Sequence, residues 1–528
     1  MENKKTKIIS IGAVVALALT VITATYAYFN AQVGDPAVAD IKINANTVDT
    51  FTFASGSAIS FSINQDNFAS GAGNQTGSTY ASAMLTANNK TNTATEHYYM
   101  YLNIENNTFT YSINTNTPEI IMTVKNSVGN EVTDISTLNH VIVTGANGTQ
   151  VSGYDITNKS GLITLFDNRE ITTTSSKEEK WNITITFVNY DENQNANAGK
   201  SMSAKVMIQK EVIPQVVSDV CSNGTNLATC ITTLANKSIP SATNIYHHDS
   251  SLSNGAGDNS YRYAGASDVV NNFVCFGSNE STCPTDNLYR IIGVFGNNVK
   301  LIKYDYGTTD ELGTDGDYNQ TYKEWGMDST YKGTYGDGER IGVYYWNNTT
   351  QTNTWSESLL NKTNLNTNFI NNIGEEWANK IATTTWKVGG NTYSNIYSKT
   401  PSVVYQNEIV NPVTTNTTDN ATEYTAKIGL MYVSDYGFAA EPSAWTLTIG
   451  NYNNTTATST NWMYMGLYEW TLSRNADRSD DAFIVFGDGN VFGHYVGNDV
   501  AVRPSFSLLS SVTYSKGDGT QNSPIRIN

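Results

Sequence analysis

Ionisable side chains are scarce in this chain. Lys, Arg, Asp and Glu make up 15% of its 528 residues, against about a quarter in an average soluble protein. Cations are the scarcer sign. The 31 Lys and Arg face 48 Asp and Glu, a net charge of −17. That balance excludes a surface built to neutralise nucleic-acid phosphates and one that docks electrostatically on anionic lipid. There are 5 histidines, few for a clustered metal centre. The adjacent pair His247–His248 would point opposite ways on an extended strand and cannot easily share an ion, so it reads as a packing or surface pair. Long apolar runs are missing after the N-terminus, and the C-terminal "NSPIRIN" carries no wall-sorting or lipid signal.

Cysteine occurs 4 times, in two close pairs. Cys221 and Cys230 bracket "SNGTNLAT"; Cys275 and Cys283 bracket "FGSNEST". In an exported chain such pairs read as two small disulfide loops, each worth ~2–3 kcal/mol. Zinc is the weaker alternative, because neither spacing is C-x-x-C and no histidine follows at finger spacing. Phosphate loops, nucleophile elbows and H-E-x-x-H are absent, so no cofactor is expected. The carboxylate pair Glu375–Glu376 reads as the solvated face of a helix. Oxygen ligands near glycines in "GTDGDYNQ" (Asp315, Asp317, Asn319) and "YGDGER" (Asp337) lack the closing glutamate of a calcium loop and leave metal binding undetermined.

What the chain does have is tyrosine, 32 of them, among abundant Asn, Thr and Ser. This suits a β-rich exterior protein of several domains. Lys4, Lys5 and Lys7 precede an apolar run from Ile8 to Ala27. Residues 1–30 thus read as a signal peptide cleaved after Ala27 or as a retained anchor over residues 8–28; either exports the remainder. From 31 to 212 short stretches alternate with period two: Ile59, Phe61, Ile63; Met100, Leu102, Ile104; Trp181, Ile183, Ile185, Phe187; Ala204, Val206, Ile208. Many such strands between Asn-, Gly- and Thr-rich turns predict an antiparallel β-sandwich. The signal junction "ATYAYFNAQV" followed by this pattern resembles the exported camelysin-type fibre and biofilm-matrix proteins of Gram-positive bacteria (Firmicutes). That resemblance implies self-assembly through the sandwich.

Residues 213–285, with both cysteine pairs, read as a turn-rich linker. The last domain, 286–528, opens with the hairpin "LYRIIGVFGNNVKLIKYDY". One helix follows, with Phe369, Ile370, Ile373, Trp377 and Ile381 at helical spacing and Leu359–Leu360 a turn earlier, a core stripe. The closing strands are apolar enough to pair with the first hairpin. Trp470–Thr471 opening a loop region, Gly489 within it and "VRP" (Val502–Pro504) closing it resemble the C-type-lectin-like fold. The branches it is similar to are the formylglycine-generating-enzyme-like one and the variable proteins of diversity-generating retroelements. The overall expectation is therefore mainly β with an α+β C-terminal domain.

The stretch "RNADRSDDAFIVFGDGNVFGHYVGNDVAVRP", Arg474–Pro504, contains no Lys, Glu, Gln, Met or Trp. Turn geometry favours its Asn, Asp, Gly and Ser. The retroelement resemblance implies a second cause, since adenine mutagenesis of Asn codons ending in a pyrimidine cannot produce those five types. It also implies an exposed, variable binding face made of Arg474, Asn475, Asp477, Arg478, Asp480, Asp488, Asn490, Phe492, His494, Tyr495, Asn498 and Asp499. The partner would be a protein or glycan outside the cell. Membrane contact would be confined to the N-terminal segment. The resemblance implies paired cysteines for formylglycine-type catalysis and clustered histidines for the related iron-dependent sulfur enzymes; neither is expected here, because no cysteine follows Cys283 and His494 is the sole histidine after His248. The expected function is cell-surface adhesion or ligand recognition, without enzymatic activity; the alternative is a matrix or fibre subunit with a fixed C-terminal domain.

Overall fold

Side chains at every second position share one face only on an extended backbone, and in the N-terminal third that face is buried. The computed structural model describes residues 49–64, 67, 72–88, 92–322, 331–335, 340–412, 422–453 and 458–528. The signal segment and Asp337 lie outside the described residues. The chain divides into two compact units, Met1–Val212 and Ile213–Asn528. It is mainly β, 38% strand against 19% helix, with several antiparallel sheets.

In the first unit the strands are β1 (Thr50–Ser55), β2 (Ile59–Ser62), β3 (Gln75–Thr86), β4 (Ala94–Asn107), β5 (Ile120–Asn126), β6 (His140–Thr144), β7 (Gln150–Asp155), β8 (Gly161–Thr173), β9 (Ser176–Phe187) and β10 (Ser201–Gln209). They form a six-stranded sheet in the order β1-β3-β9-β5-β7-β6 and a four-stranded sheet, β2-β10-β4-β8. Met100, Leu102, Ile104, Ala204, Val206 and Ile208 from the smaller sheet share one core with Trp181, Ile183, Ile185 and Phe187 from the larger. Phe61 is only partly buried at its rim.

The stretch 213–285, read from sequence as a linker, belongs to the second unit. It supplies helix α1 (Leu227–Lys237) and strands β11 (Ile245–His248), β12 (Ser260–Tyr263) and β13 (Phe273–Cys275). Next come β14 (Leu288–Phe295) and β15 (Asn298–Lys303), the expected hairpin, turning at Gly296 with φ +60°. The remaining strands are β16 (Tyr318–Thr321), β17 (Gly342–Tyr345), β18 (Thr384–Lys387), β19 (Gly390–Asn391), β20 (Glu423–Ala426), β21 (Ile428–Gly429), β22 (Glu469–Asn475), β23 (Asp481–Val485), β24 (Val491–Tyr495), β25 (Asp499–Ala501), β26 (Ser505–Ser507), β27 (Tyr514–Lys516) and β28 (Arg526–Ile527). One sheet runs β11-β12-β14-β15-β26-β21, with β13 on β14. Lys300 opposes Ser507 across β15 and β26, so the first hairpin and a late strand do pair. The second sheet runs β16-β17-β25-β22-β23-β24, with β19 beside β22.

The expected single helix is two pieces. Leu360–Phe369 winds in wide π-type turns and continues to Asn372, and Gly374, at φ +82°, ends it before a short helix, Glu375–Ala378. Glycine takes that left-handed φ without steric cost, so the break falls there. Phe369, Trp377 and Ile381 reach the core, while Leu359, Ile370 and Ile373 are only partly buried. Glu375 and Glu376 are exposed. His247 stacks on Tyr261, and His248 is buried against Phe438 and Trp445. Burial pushes the His248 ring down to about 2, so it stays neutral, and its Nδ1 accepts from Ala256 N at 3.0 Å.

Candidate recognition face

Two buried constructions hold the second sheet in place. Glu469 and Arg503 form a fully buried bidentate pair, Nε–Oε1 2.7 Å and Nη2–Oε2 2.9 Å. The arginine of "VRP" is therefore a frame residue. Trp470 donates Nε1–H to the carbonyl of Tyr344 at 2.8 Å, tying β22 to β17. Between Trp470↔Ile484 and Arg474↔Ala482, β22 carries more residues than β23 opposite it, a bulge that re-aims the strand end.

Beyond the bulge the turn 476–480 carries exposed Asp477, Arg478 and Ser479 and half-buried Asp480. Buried Asn353 pins it from beneath. Its Nδ2 lies at 3.0, 2.7 and 2.8 Å from the carbonyls of Asn475, Arg478 and Asp481, and its backbone N–H donates to Ser479 O at 2.6 Å. Arg478 holds Asp480 and Asp481, each at 3.1 Å. That contact keeps the Asp480 carboxyl below its usual range, while burial raises that of Asp481.

The next turn, between β23 and β24, passes through Gly489 at φ +89°. A Cβ there would stand 2.5 Å from Thr458 Cγ2 and 2.9 Å from Tyr452 O. Asp488 Oδ1 accepts from Asn490 N at 3.0 Å, so these side chains shape their own turn. His494 lies against Trp470, its Nε2 3.2 Å from Asn498 Nδ2, and burial lowers its pKa.

Helix α2 (Tyr393–Ser398) abuts β24. Asp477 Oδ2 accepts from Tyr393 N at 3.1 Å and fixes the helix start on the turn. An aromatic strip results. Centroids stand 4.8 Å apart for Tyr393–Tyr397, 5.0 Å for Tyr397–Phe492, 5.3 Å for Phe492–Phe486 and 4.6 Å for Phe486–Tyr468. Tyr393, Tyr397 and Tyr468 are 37–40% exposed. Beside Tyr393, Gly493 leaves a notch: a Cβ there would find Asn475 Nδ2 at 3.4 Å, Tyr393 Cδ2 at 3.5 Å and Asp481 Oδ2 at 3.7 Å.

Of the twelve residues assigned to an exposed face, Asp477, Arg478, Asp488 and Asn498 are exposed, and Asp480, Asn490, Phe492, His494 and Tyr495 are half-buried. Arg474, Asn475 and Asp499 are not exposed; they retain 2%, 1% and 9% of their surface. Arg474 and Asn475 sit on β22 between β19 and β23, with Gly390 packed flush on the Arg474 backbone. Asp499 sits on β25 and accepts from Asn319 Nδ2 at 2.9 Å. Burial pushes the Arg474 guanidinium down to about 10, and its Nε and Nη2 meet no hydrogen-bond partner. Sequence reasoning missed Tyr393, Tyr397, Tyr468, Phe486, Asp481 and the pinning Asn353. The i, i+4 tyrosines of "YSNIY" were a visible signal for one helix face; nothing local places that face on β24.

The calcium candidates are committed elsewhere. Asp317 accepts from Leu360 N and Asn348 N, and Asp315 from Asn368 Nδ2. Among the described residues no group of three or more His, Cys, Asp or Glu is placed to hold a metal ion. Both disulfides are formed, Cys221–Cys230 and Cys275–Cys283, with Cα separations of 5.5 and 5.8 Å. Among the described residues no helix is long and apolar enough to cross a membrane. Fold and site define a class: a β-rich, disulfide-containing protein of two units, consistent with an oxidising, extracellular setting. No family model and no curated protein matches the chain.

Proposed function

We propose that this is an exported cell-surface recognition or adhesion protein without enzymatic activity. Its second unit is read as a C-type-lectin-like module whose face around β24, the 476–480 turn and α2 binds a ligand outside the cell. The observation that carries this is the aromatic strip running from Tyr393 to Tyr468 beside the polar turn. Large, half-exposed rings next to adaptable polar side chains are what binding loops use. The closure of β26 on β15 and the burial of the "VRP" arginine support the lectin-like frame. The first unit serves as stalk or assembly module in the manner of camelysin-type proteins.

Retroelement diversification is proposed only for the outward positions Asp477, Arg478, Asp480, Asp488, Asn490, Phe492, His494, Tyr495 and Asn498. A near-copy of this stretch differing at adenines, beside a reverse transcriptase gene, is the genomic observation that tests it. Burial of Arg474, Asn475 and Asp499 favours the second reading, a matrix subunit with a fixed C-terminal domain. Retention of the full chain on immobilised matrix proteins and glycans decides between them. Loss of retention in a Tyr393→Ala/Tyr397→Ala variant with an unchanged melting curve supports recognition; equal retention refutes it.

A further inference from the structure

Gly493 lies inside a strand, where glycine weakens packing unless something must approach the backbone closely. Its φ lies outside the left-handed region, so the backbone does not require glycine. There is room for one methyl, since, chain neighbours aside, no heavy atom would stand nearer than 3.4 Å to an added Cβ. Two polar groups border that one point. Asn475 Oδ1 accepts from Asp477 N at 2.9 Å, which fixes the amide and turns Nδ2 away as a donor. That Nδ2, on a residue 1% exposed, has no hydrogen-bond partner. The Asp481 carboxylate, whose Oδ2 also meets Arg478 Nε at 3.1 Å, is an acceptor. A hydroxyl oxygen satisfies both, accepting from Asn475 and donating to Asp481. Tyr393 adds an exposed ring 3.5 Å away, and Tyr397 and Phe492 extend it.

We propose that the notch at Gly493 takes one hydroxyl of a neutral sugar ring, whose apolar C–H face rests on Tyr393. The sugar is neutral because Asp477, Asp480 and Asp481 outnumber Arg478 around the notch, and the chain as a whole carries −17. An amphoteric oxygen set beside an apolar ring face is the chemistry of a pyranose, and aromatic rings stack on such faces. The inference rests on the reading of this face as the binding surface.

Saturation-transfer NMR on the full chain, with the methyl glycosides of glucose, galactose, mannose and N-acetylglucosamine as probes, tests it. At least one probe should receive saturation at its ring protons. Affinity should fall about tenfold or more in Gly493→Ala and in Tyr393→Leu. The Gly493→Ala melting temperature should not fall, because the new methyl meets only ordinary contacts and alanine loses less backbone entropy on folding. No transfer to any probe overturns the sugar, as does transfer that Gly493→Ala leaves intact. If instead the chain is retained on fibronectin, collagen or laminin and Tyr393→Leu abolishes that, the face is a protein-binding surface and only the sugar falls. Retention of any kind that Tyr393→Leu leaves unchanged removes both.

Discussion

Replacing Glu408 by Gln should flatten the pH dependence of stability of the second unit. Glu408 lies in the helical turn Gln406–Val410 and is fully buried. Its Oε1 accepts from Ser434 N at 2.7 Å, at the start of helix α3 (Val433–Ala439), and its Oε2 lies 2.5 Å from Ser473 Oγ on β22. Burial is the main cause of its pKa being pushed up to about 7, with the Asp435 charge adding to it and the serine bonds opposing. An unfolded glutamate loses its proton near 4.5. Between these values the folded state holds a proton that the unfolded state has released. The stabilisation is therefore complete below about pH 4.5 and is lost as pH rises through 7. Holding the proton over that interval is worth about 3 kcal/mol. Gln keeps an acceptor for Ser434 N and a donor for Ser473, as the protonated acid does, and has no charge to bury. Urea unfolding at pH 5 and pH 8 reads the effect through tryptophan fluorescence, since Trp181 is the one tryptophan before residue 213. The difference in unfolding free energy between variant and wild type should grow in the variant's favour by about 2.5 kcal/mol from pH 5 to pH 8. Parallel pH profiles would refute the reasoning, because every other titrating group is common to both proteins.

Arg503→Met should destabilise the second unit by about 3–5 kcal/mol, since it strands Glu469 as an uncompensated buried charge; a Glu469→Leu/Arg503→Met double variant should recover much of that in the same urea assay. Asn353→Ala removes the pin under the 476–480 turn. It should cost about 1–3 kcal/mol and raise amide hydrogen exchange in that turn above the rest of β22 and β23. Gly489→Ala should lower stability by about 1–3 kcal/mol, through both the left-handed φ and the 2.5 Å approach of Thr458; the Gly493→Ala melting curve is its control.

The period-two strands of the first unit were legible because one face of each is buried: Trp181, Ile183, Ile185 and Phe187 report that directly. The hairpin at Gly296 was legible from two apolar runs around a turn. The place of 213–285 was not. Turn-rich text looks like a linker whether or not its short strands join a sheet, and β11 to β13 find their partners through long-range pairing with β14 and through β12. The same limit governs the site. The turn residues of "NADRSDD" announce an exposed loop, and Asp477 and Arg478 are exposed. The burial of Arg474 and Asn475 comes from β19, a parallel neighbour some 80 residues earlier in the chain, and Tyr393 and Tyr397 arrive with it.

That neighbour divides the face into two kinds of position. Asn475, Gly489 and Asn353 hold the backbone of both turns, through a side-chain oxygen that accepts from Asp477 N, a left-handed φ and the pinned carbonyls. Substitution at any of them alters the frame before it alters a ligand contact. Arg478 and Asp488 project from those same turns into solvent, and Asn498 from the turn between β24 and β25; their own contacts are an ion pair, the Asn490 N turn bond and the His494 contact, so changes there should stay within about 1 kcal/mol. Asp477 belongs to both kinds, exposed yet bonded to Tyr393 N, and its loss would loosen α2 on the turn. A recognition surface can be retuned cheaply only at the outward set. On the proposed reading of this face as a binding surface, the Gly493 notch, bordered by the fixed Asn475 and by Asp481, is its constant part, and the outward set the part that discriminates.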